Sequence, residues 1–280
     1  MRHIVKPAIA ALALLLAANL QTVRADEIGE KGREIFKKYQ HAVVTVQVVL
    51  KVSYSGSGGS NERKNDITGS VIDPSGLVVV ALSACDPSEM LQRMMGEAYS
   101  KYKLESEITD MKVLLDDGSE VPAEIVLRDK DLDLAFLRPK TKPANPMVAL
   151  DLSHSSPAQI LDQVITLNRL NSAAGRAYAA SVERITAVMQ KPRTFYIPDS
   201  TMTSTGLGSP VFSADGNVVG MILVRTVSGR GGSTRNPNEN MTSIILPAQD
   251  ILQAAKQAPE TKPESEKKEE PKEKEPAASK

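Results

Sequence analysis

An all-β fold in two antiparallel halves, with a short helix at each end, is predicted by three features of the sequence. Short runs rich in valine, isoleucine and leucine are bounded throughout by Gly, Pro, Asp and Ser turns. The same grammar starts afresh after a proline-containing stretch at residues 140–146. Helix-period segments do not alternate with the strands, which argues against a parallel α/β sheet. Many short strands at this spacing point to sandwiches or barrels.

The elements follow in order. Residues 27–39 carry Ile28, Ile35, Phe36 and Tyr39 among charged side chains, the pattern of a short amphipathic helix. A valine-rich strand is expected over 42–54, then a Gly/Ser-rich loop over 55–66. Strands at 67–72 and 77–82 flank the turn Asp73-Pro74-Ser75-Gly76. Asp86-Pro87-Ser88-Glu89 supplies an N-cap, a first-turn proline and an acid at the capping-box position. Behind it Met90, Leu91, Met94, Met95, Ala98, Tyr99 and Tyr102 share one helical face, read either as packing on the barrel or as a methionine-rich docking surface. Strands are expected at 111–115, 121–127 and 132–137 in the first half. In the second they are expected at 148–150, 163–167, 177–188, 195–197, 210–213, 218–224 and 242–246. A closing helix begins at Pro247.

The two ends differ from the middle. Arg2 and Lys6 precede an apolar run at 7–20, and Val23-Arg24-Ala25 offers small residues where a signal peptidase reads them. Residues 1–25 are read as a signal peptide cleaved after Ala25, in preference to an uncleaved anchor, and imply an exported protein, periplasmic or extracellular. From Glu260 onward the chain holds seven Glu and six Lys, with no apolar residue larger than alanine, so 259–280 is expected to be a disordered tail.

Composition limits the function classes. Lys+Arg and Asp+Glu are each 34; removing Arg2, Lys6 and Arg24 with the leader leaves 31 basic against 34 acidic. That balance lacks the basic footprint of a nucleic-acid binder. The single cysteine, Cys85, excludes an internal disulfide framework and cysteine-clustered zinc or iron–sulfur sites, and no cofactor or metal is expected. Its Val, Ala and Leu neighbours suggest a buried, inert thiol.

Three segments, in order, resemble the trypsin-like serine proteases of the HtrA/DegP type. The first is Thr68-Gly69-Ser70-Val71-Ile72-Asp73-Pro74-Ser75-Gly76-Leu77-Val78-Val79-Val80, similar to the family's first-barrel hairpin. The second, Asp133-Leu134-Ala135-Phe136-Leu137, follows Asp117-Gly118 and Val121-Pro122-Ala123. The third is Thr205-Gly206-Leu207-Gly208-Ser209-Pro210, followed by Asp215-Gly216-Asn217-Val218-Val219-Gly220. The likeness covers roughly residues 36–255. It implies a trypsin-like double β-barrel spanning 26–258, with barrel one over about 40–139 and barrel two over about 147–247.

The resemblance also assigns the catalytic positions. Counting from Gly76, the family's histidine position falls on Ser83; counting back from Pro210, the nucleophile position falls on Leu207; only Asp133 keeps the family residue. The triad needs a hydroxyl to attack, an imidazole to take its proton and a carboxylate to hold that imidazole. An isobutyl group has no lone pair to attack with, and a serine is no base near neutral pH. Thr205 replaces a glycine of the oxyanion loop. His41 and His154 map away from the cleft, and Ser204 and Ser209 are displaced from the nucleophile position. The expectation is an exported, catalytically inactive homologue that binds an extended or unfolded peptide or a protein partner, neither a nucleic-acid binder nor stably membrane-inserted. Oligomeric state is left open. The rivals are an active serine endopeptidase with a non-standard arrangement and a structural cell-envelope protein.

Overall fold

The computed structural model describes residues 27–54, 59–88, 90, 104–200, 206–226 and 241–260. The leader, most of the methionine-rich segment behind Glu89, Ser204, Thr205 and the tail beyond Glu260 lie outside them. Among the described residues no helix is long and apolar enough to cross a membrane.

Helix α1 (Glu27–Tyr39) leads into twelve strands. The first six are β1 (Val43–Tyr54), β2 (Ser60–Asp73), β3 (Leu77–Ala81), β4 (Leu104–Leu114), β5 (Glu120–Asp129) and β6 (Leu134–Pro139). They close as a barrel in the order β1-β2-β3-β6-β5-β4. The second six are β7 (Gln163–Arg169), β8 (Tyr178–Met189), β9 (Phe195–Pro198), β10 (Pro210–Ser213), β11 (Val218–Thr226) and β12 (Met241–Pro247). They close in the equivalent order, β7-β8-β9-β12-β11-β10. Helix α2 (Leu82–Cys85) follows β3, and α3 (Ala248–Ala255) ends the fold.

The valine-rich run of β3 is apolar at every position because both of its faces are covered. Val78 and Val80 point into barrel one with Val46, Val48, Val71 and Leu137. Leu77, Val79 and Ala81 point the other way, into a core shared with barrel two and containing Leu167, Phe212, Leu223 and Ile245. Strand β6 alternates in the same manner, Ala135 and Leu137 facing inward, Leu134 and Phe136 facing the second barrel. One face of barrel one is therefore part of the interface core, which seats the ends of β3 and β6 against β11.

Polar contacts complete the junction. Thr68 on β2 meets the backbone of Arg169, its hydroxyl 3.4 Å from both N and O. Arg176 Nε donates to Asp66 at 2.8 Å. Beside α1, Asp116 of the β4–β5 turn receives His41 at 2.6 Å, Arg169 at 3.1 Å and the Tyr178 hydroxyl. The Arg169 guanidinium also lies over the Tyr178 ring at 3.8 Å.

Several boundaries differ from the sequence expectation. β2 begins at Ser60 rather than after a loop through Asp66, because its polar first half pairs residue for residue with β1, from Ser53↔Ser60 to Gln47↔Asp66. β4 likewise begins at Leu104, seven residues before its apolar stretch, drawn out by pairing with the far end of β1. Residues 148–150 form no strand: Met147 and Leu150 each donate one hydrogen bond, to Pro74 and Val71, without a ladder. Pro259 offers its carbonyl to Arg138 Nε at 2.8 Å, so ordered contacts continue one residue past Ala258.

Candidate functional site

The candidate site is built where β3 and β6 end against barrel two. After Ala81 the chain turns into α2, whose first N–H groups have no intrahelical acceptor, and its cap residue supplies no side-chain bond. Asp133, the last residue of the β5–β6 turn, satisfies them. Its carbonyl accepts from Leu82 N at 2.9 Å, and its carboxylate accepts from Ser83 N at 2.7 Å through Oδ1 and from Ser83 Oγ at 2.8 Å through Oδ2. Val224 N of β11 lies 3.4 Å from Oδ2, tying the pair to barrel two. Asp133 adopts the left-handed region, with φ 59°, a conformation that Asp and Asn tolerate better than other non-glycine residues.

Leu207 lies in the β9–β10 connection, 8% exposed. The loop that carries it is pinned by the next residue. Gly208 N donates to Ile222 O at 2.8 Å, and Gly208 O accepts from Ser70 Oγ at 3.0 Å. Its φ is +86°, and a Cβ there would sit 2.3 Å from the Thr68 carbonyl oxygen. Only glycine allows β10 to approach β2 this closely.

Two cavities meet at Ser83. One, of about 380 Å³, is lined by Ser83 and Asp133 from barrel one and by Phe195, Val224, Arg225 and Ile244 from barrel two. The other, of about 520 Å³, is lined by Ser83, Ala84, Lys64, Asp66 and Ile67 on one side and by Asn171, Arg176 and Leu207 on the other. Ser83, Asp133 and Leu207 are thus gathered from three distant parts of the chain along one interbarrel cleft. Each cavity is bordered by a strand edge that is open in part among the described residues. β11 is laddered to β10 only through Met221; beyond it Ile222 N and O bond to Ser209 O and Gly208 N and Val224 N lies 3.4 Å from Asp133 Oδ2, so its outer edge opens only past Val224 N. β2 pairs with β3 only from Gly69 onward, so among the described residues no strand lies against the outer edge of residues 60–67.

No imidazole lines either cavity. His41 is held at the barrel junction by Asp116. His154 accompanies Asp151 and Ser153 in a surface turn, but both contacts fall on its Nδ1, at 2.6 Å from Asp151 and 3.3 Å from Ser153. A catalytic relay needs one ring nitrogen for the acid and the other for the nucleophile, so this cluster does not form one. Hydrogen bonds from Ser153 and His154 hold the Asp151 carboxyl down to about 2. Ser209 is 0% exposed, its hydroxyl without a partner, and it borders neither cavity. Cys85 is 1% exposed and its thiol pKa is raised, first by burial and then by the Asp133 charge. Among the described residues no group of three or more His, Cys, Asp and Glu is placed to hold a metal ion.

Sequence reasoning missed several groups that shape the site. Asp66 and Arg176, which close one side of the larger cavity, are 110 residues apart and carry no local motif. Arg225 and Phe195, in the smaller cavity, come from different strands, and their contact depends on the closed second barrel.

Two six-stranded antiparallel barrels of equivalent topology, with a carboxylate at the cleft on the last strand-turn of the first barrel, define the trypsin-like serine protease fold. The chain belongs to the trypsin-like peptidase domain family, which matches residues 67–221. Among solved structures it is similar to the apo protease domain of MamO from Magnetospirillum magneticum, with a TM-score of 0.50 and 18% identity over 78% of this chain and 97% of that one. At that identity the likeness speaks for the fold. No curated protein matches the chain.

Proposed function

We propose that this protein is an exported, catalytically silent member of the family, of the HtrA type, that holds an extended peptide segment in the interbarrel cleft. One observation carries the reading: Asp133 spends its carboxylate on Ser83 N–H and Ser83 Oγ, where a protease would orient an imidazole, while the nucleophile position is Leu207. The Ser83 hydroxyl donates its proton to an acid that holds it in place; it faces no base that could remove it. Leu207 offers no lone pair and covers that part of the cleft with methyl groups.

What remains suits binding. The open end of β11 past Val224 and the outer half of β2 flank the two cavities, so a segment laid through the cleft can gain backbone hydrogen bonds at both ends by strand addition. Export rests on the leader, and mass spectrometry of the secreted form should find Asp26 first. The decisive experiment incubates the protein with a serine-reactive phosphonate probe and, separately, with labelled unfolded polypeptide. Peptide binding without covalent labelling is the expected result. Labelling of any serine overturns the silent reading, and absence of both activities favours a structural envelope role instead.

A further inference from the structure

The two cavities differ in the charges they present. Four cationic side chains, Arg128, Lys130, Arg193 and Arg225, line the smaller one alongside Asp86, Asp131 and Asp133. Two of the three acids are already engaged by neighbours. Asp133 accepts from Ser83, and Asp86 Oδ1 accepts from the Ser88 hydroxyl and the Ser106 hydroxyl, each at 2.6 Å. The cations still outnumber the acids in this cavity, four to three.

Arg225 stands out among the cations. Its Nη1 is buried and has no hydrogen-bond partner. The guanidinium carbon lies 5.0 Å from the centroid of the Phe195 ring. That ring contact fixes the position of the guanidinium but cannot accept the N–H bonds lying in its plane. Buried donors are almost always paired in folded proteins, so a guanidinium in a cleft with one buried nitrogen left unpaired among the described residues marks a place where an acceptor can arrive. The acceptor that fits a planar fork of donors is a carboxylate, whose two oxygens take parallel hydrogen bonds. A neutral amide or hydroxyl satisfies one donor and leaves the charge uncompensated.

We propose that the smaller cavity selects a carboxylate on the bound segment, either an Asp or Glu side chain or the C-terminal carboxylate, through Arg225. Arg225 lies just past Val224, whose N–H approaches Asp133, where the outer edge of β11 opens. A segment added to that edge therefore brings its own side chains or its end alongside the guanidinium. Arg193, exposed on the cavity rim, adds to the attraction. This selectivity rests on the peptide-binding reading and is tested separately from it.

The test measures fluorescence anisotropy with labelled extended peptides that differ only by Glu against Gln at successive positions, each made with a free and an amidated C-terminus. The expected result is one Glu position, or the free C-terminus, binding about tenfold tighter than its neutral counterpart, as a charge-assisted pair gives. That ratio should shrink as salt is raised. In Arg225→Gln the ratio should fall to about one, and Arg225→Lys should keep part of it. Arg193→Gln, at an exposed position, guards against a folding defect in the first variant and should reduce the ratio by about threefold. Equal affinity for acidic and neutral peptides overturns the carboxylate assignment while leaving peptide binding intact. A preference that survives Arg225→Gln removes Arg225 from the role, and failure to bind any peptide overturns both readings.

Discussion

Replacing Asp133 tests whether its carboxylate works as a structural bracket for α2. Asp133→Ala removes the acceptor for Ser83 N at 2.7 Å, for Ser83 Oγ at 2.8 Å and for the more distant Val224 N. Hydrogen bonds to an ionised acceptor are each worth about 1.5–3 kcal/mol. The alanine must also take up φ 59°, at a cost of about 1 kcal/mol. Water reaches part of the site, so the loss falls at the lower end of the sum, about 3–4 kcal/mol. Asp133→Asn behaves differently. Its carbonyl oxygen still accepts from Ser83 N, the Ser83 hydroxyl rotates to accept from the new amide, and Asn tolerates the backbone conformation. The charge and the weak Val224 contact are lost, about 1 kcal/mol. Urea unfolding of the three proteins, compared by midpoint at constant slope, reads the difference directly. The reasoning fails if alanine costs less than about 1 kcal/mol or if asparagine is as damaging as alanine.

Three other perturbations follow from the geometry. Gly208→Ala forces a Cβ to 2.3 Å from the Thr68 carbonyl at φ +86°, backbone against backbone, and should cost more than about 3 kcal/mol by thermal unfolding; an unchanged Tm contradicts the close approach. Burial pushes the Asp116 carboxyl up, but hydrogen bonds from Tyr178 and His41 and the charge of Arg169 outweigh it and leave it below its ordinary value. A depressed carboxyl stabilises the fold above its unfolded pKa and loses that contribution as pH falls through the folded one. Asp116→Asn should therefore be less stable than the parent at pH 6, with the gap closing below about pH 4; a gap independent of pH refutes the assignment. Cys85, buried with its thiol pKa raised, should resist a disulfide reagent at pH 8 until denaturant is added, whereas prompt labelling of the native protein shows an accessible thiol.

The parts of this fold that could be read from sequence are those in which burial and turn chemistry act locally. Leu77–Ala81 is apolar on both faces and follows a Gly76 turn with φ +95°, so strand and boundary both show. The position of Ser83 follows from counting along that hairpin, and it lies against Asp133. The outer half of β2 was hidden because Ser60-Asn61-Glu62-Arg63-Lys64-Asn65-Asp66 has the composition of a loop; it is held extended by β1, a tertiary cause that no local window contains. Helix α2 is four residues long, too short for periodicity to register, and its first turn is capped from the β5–β6 turn, 50 residues away. The unpaired Nη1 of Arg225 depends on how the second barrel closes around it.

The outer half of β2 also bears on how the protein avoids sticking to copies of itself. An unpaired strand edge is a template for sheet growth from one molecule to the next, the route by which β proteins polymerise. Residues 60–66 are polar at every position on both faces of that edge, with Glu62, Arg63, Lys64 and Asp66 in close succession. A second copy docking antiparallel there would have to desolvate those charges with no apolar gain. The composition of the edge thus works against sheet-to-sheet fusion.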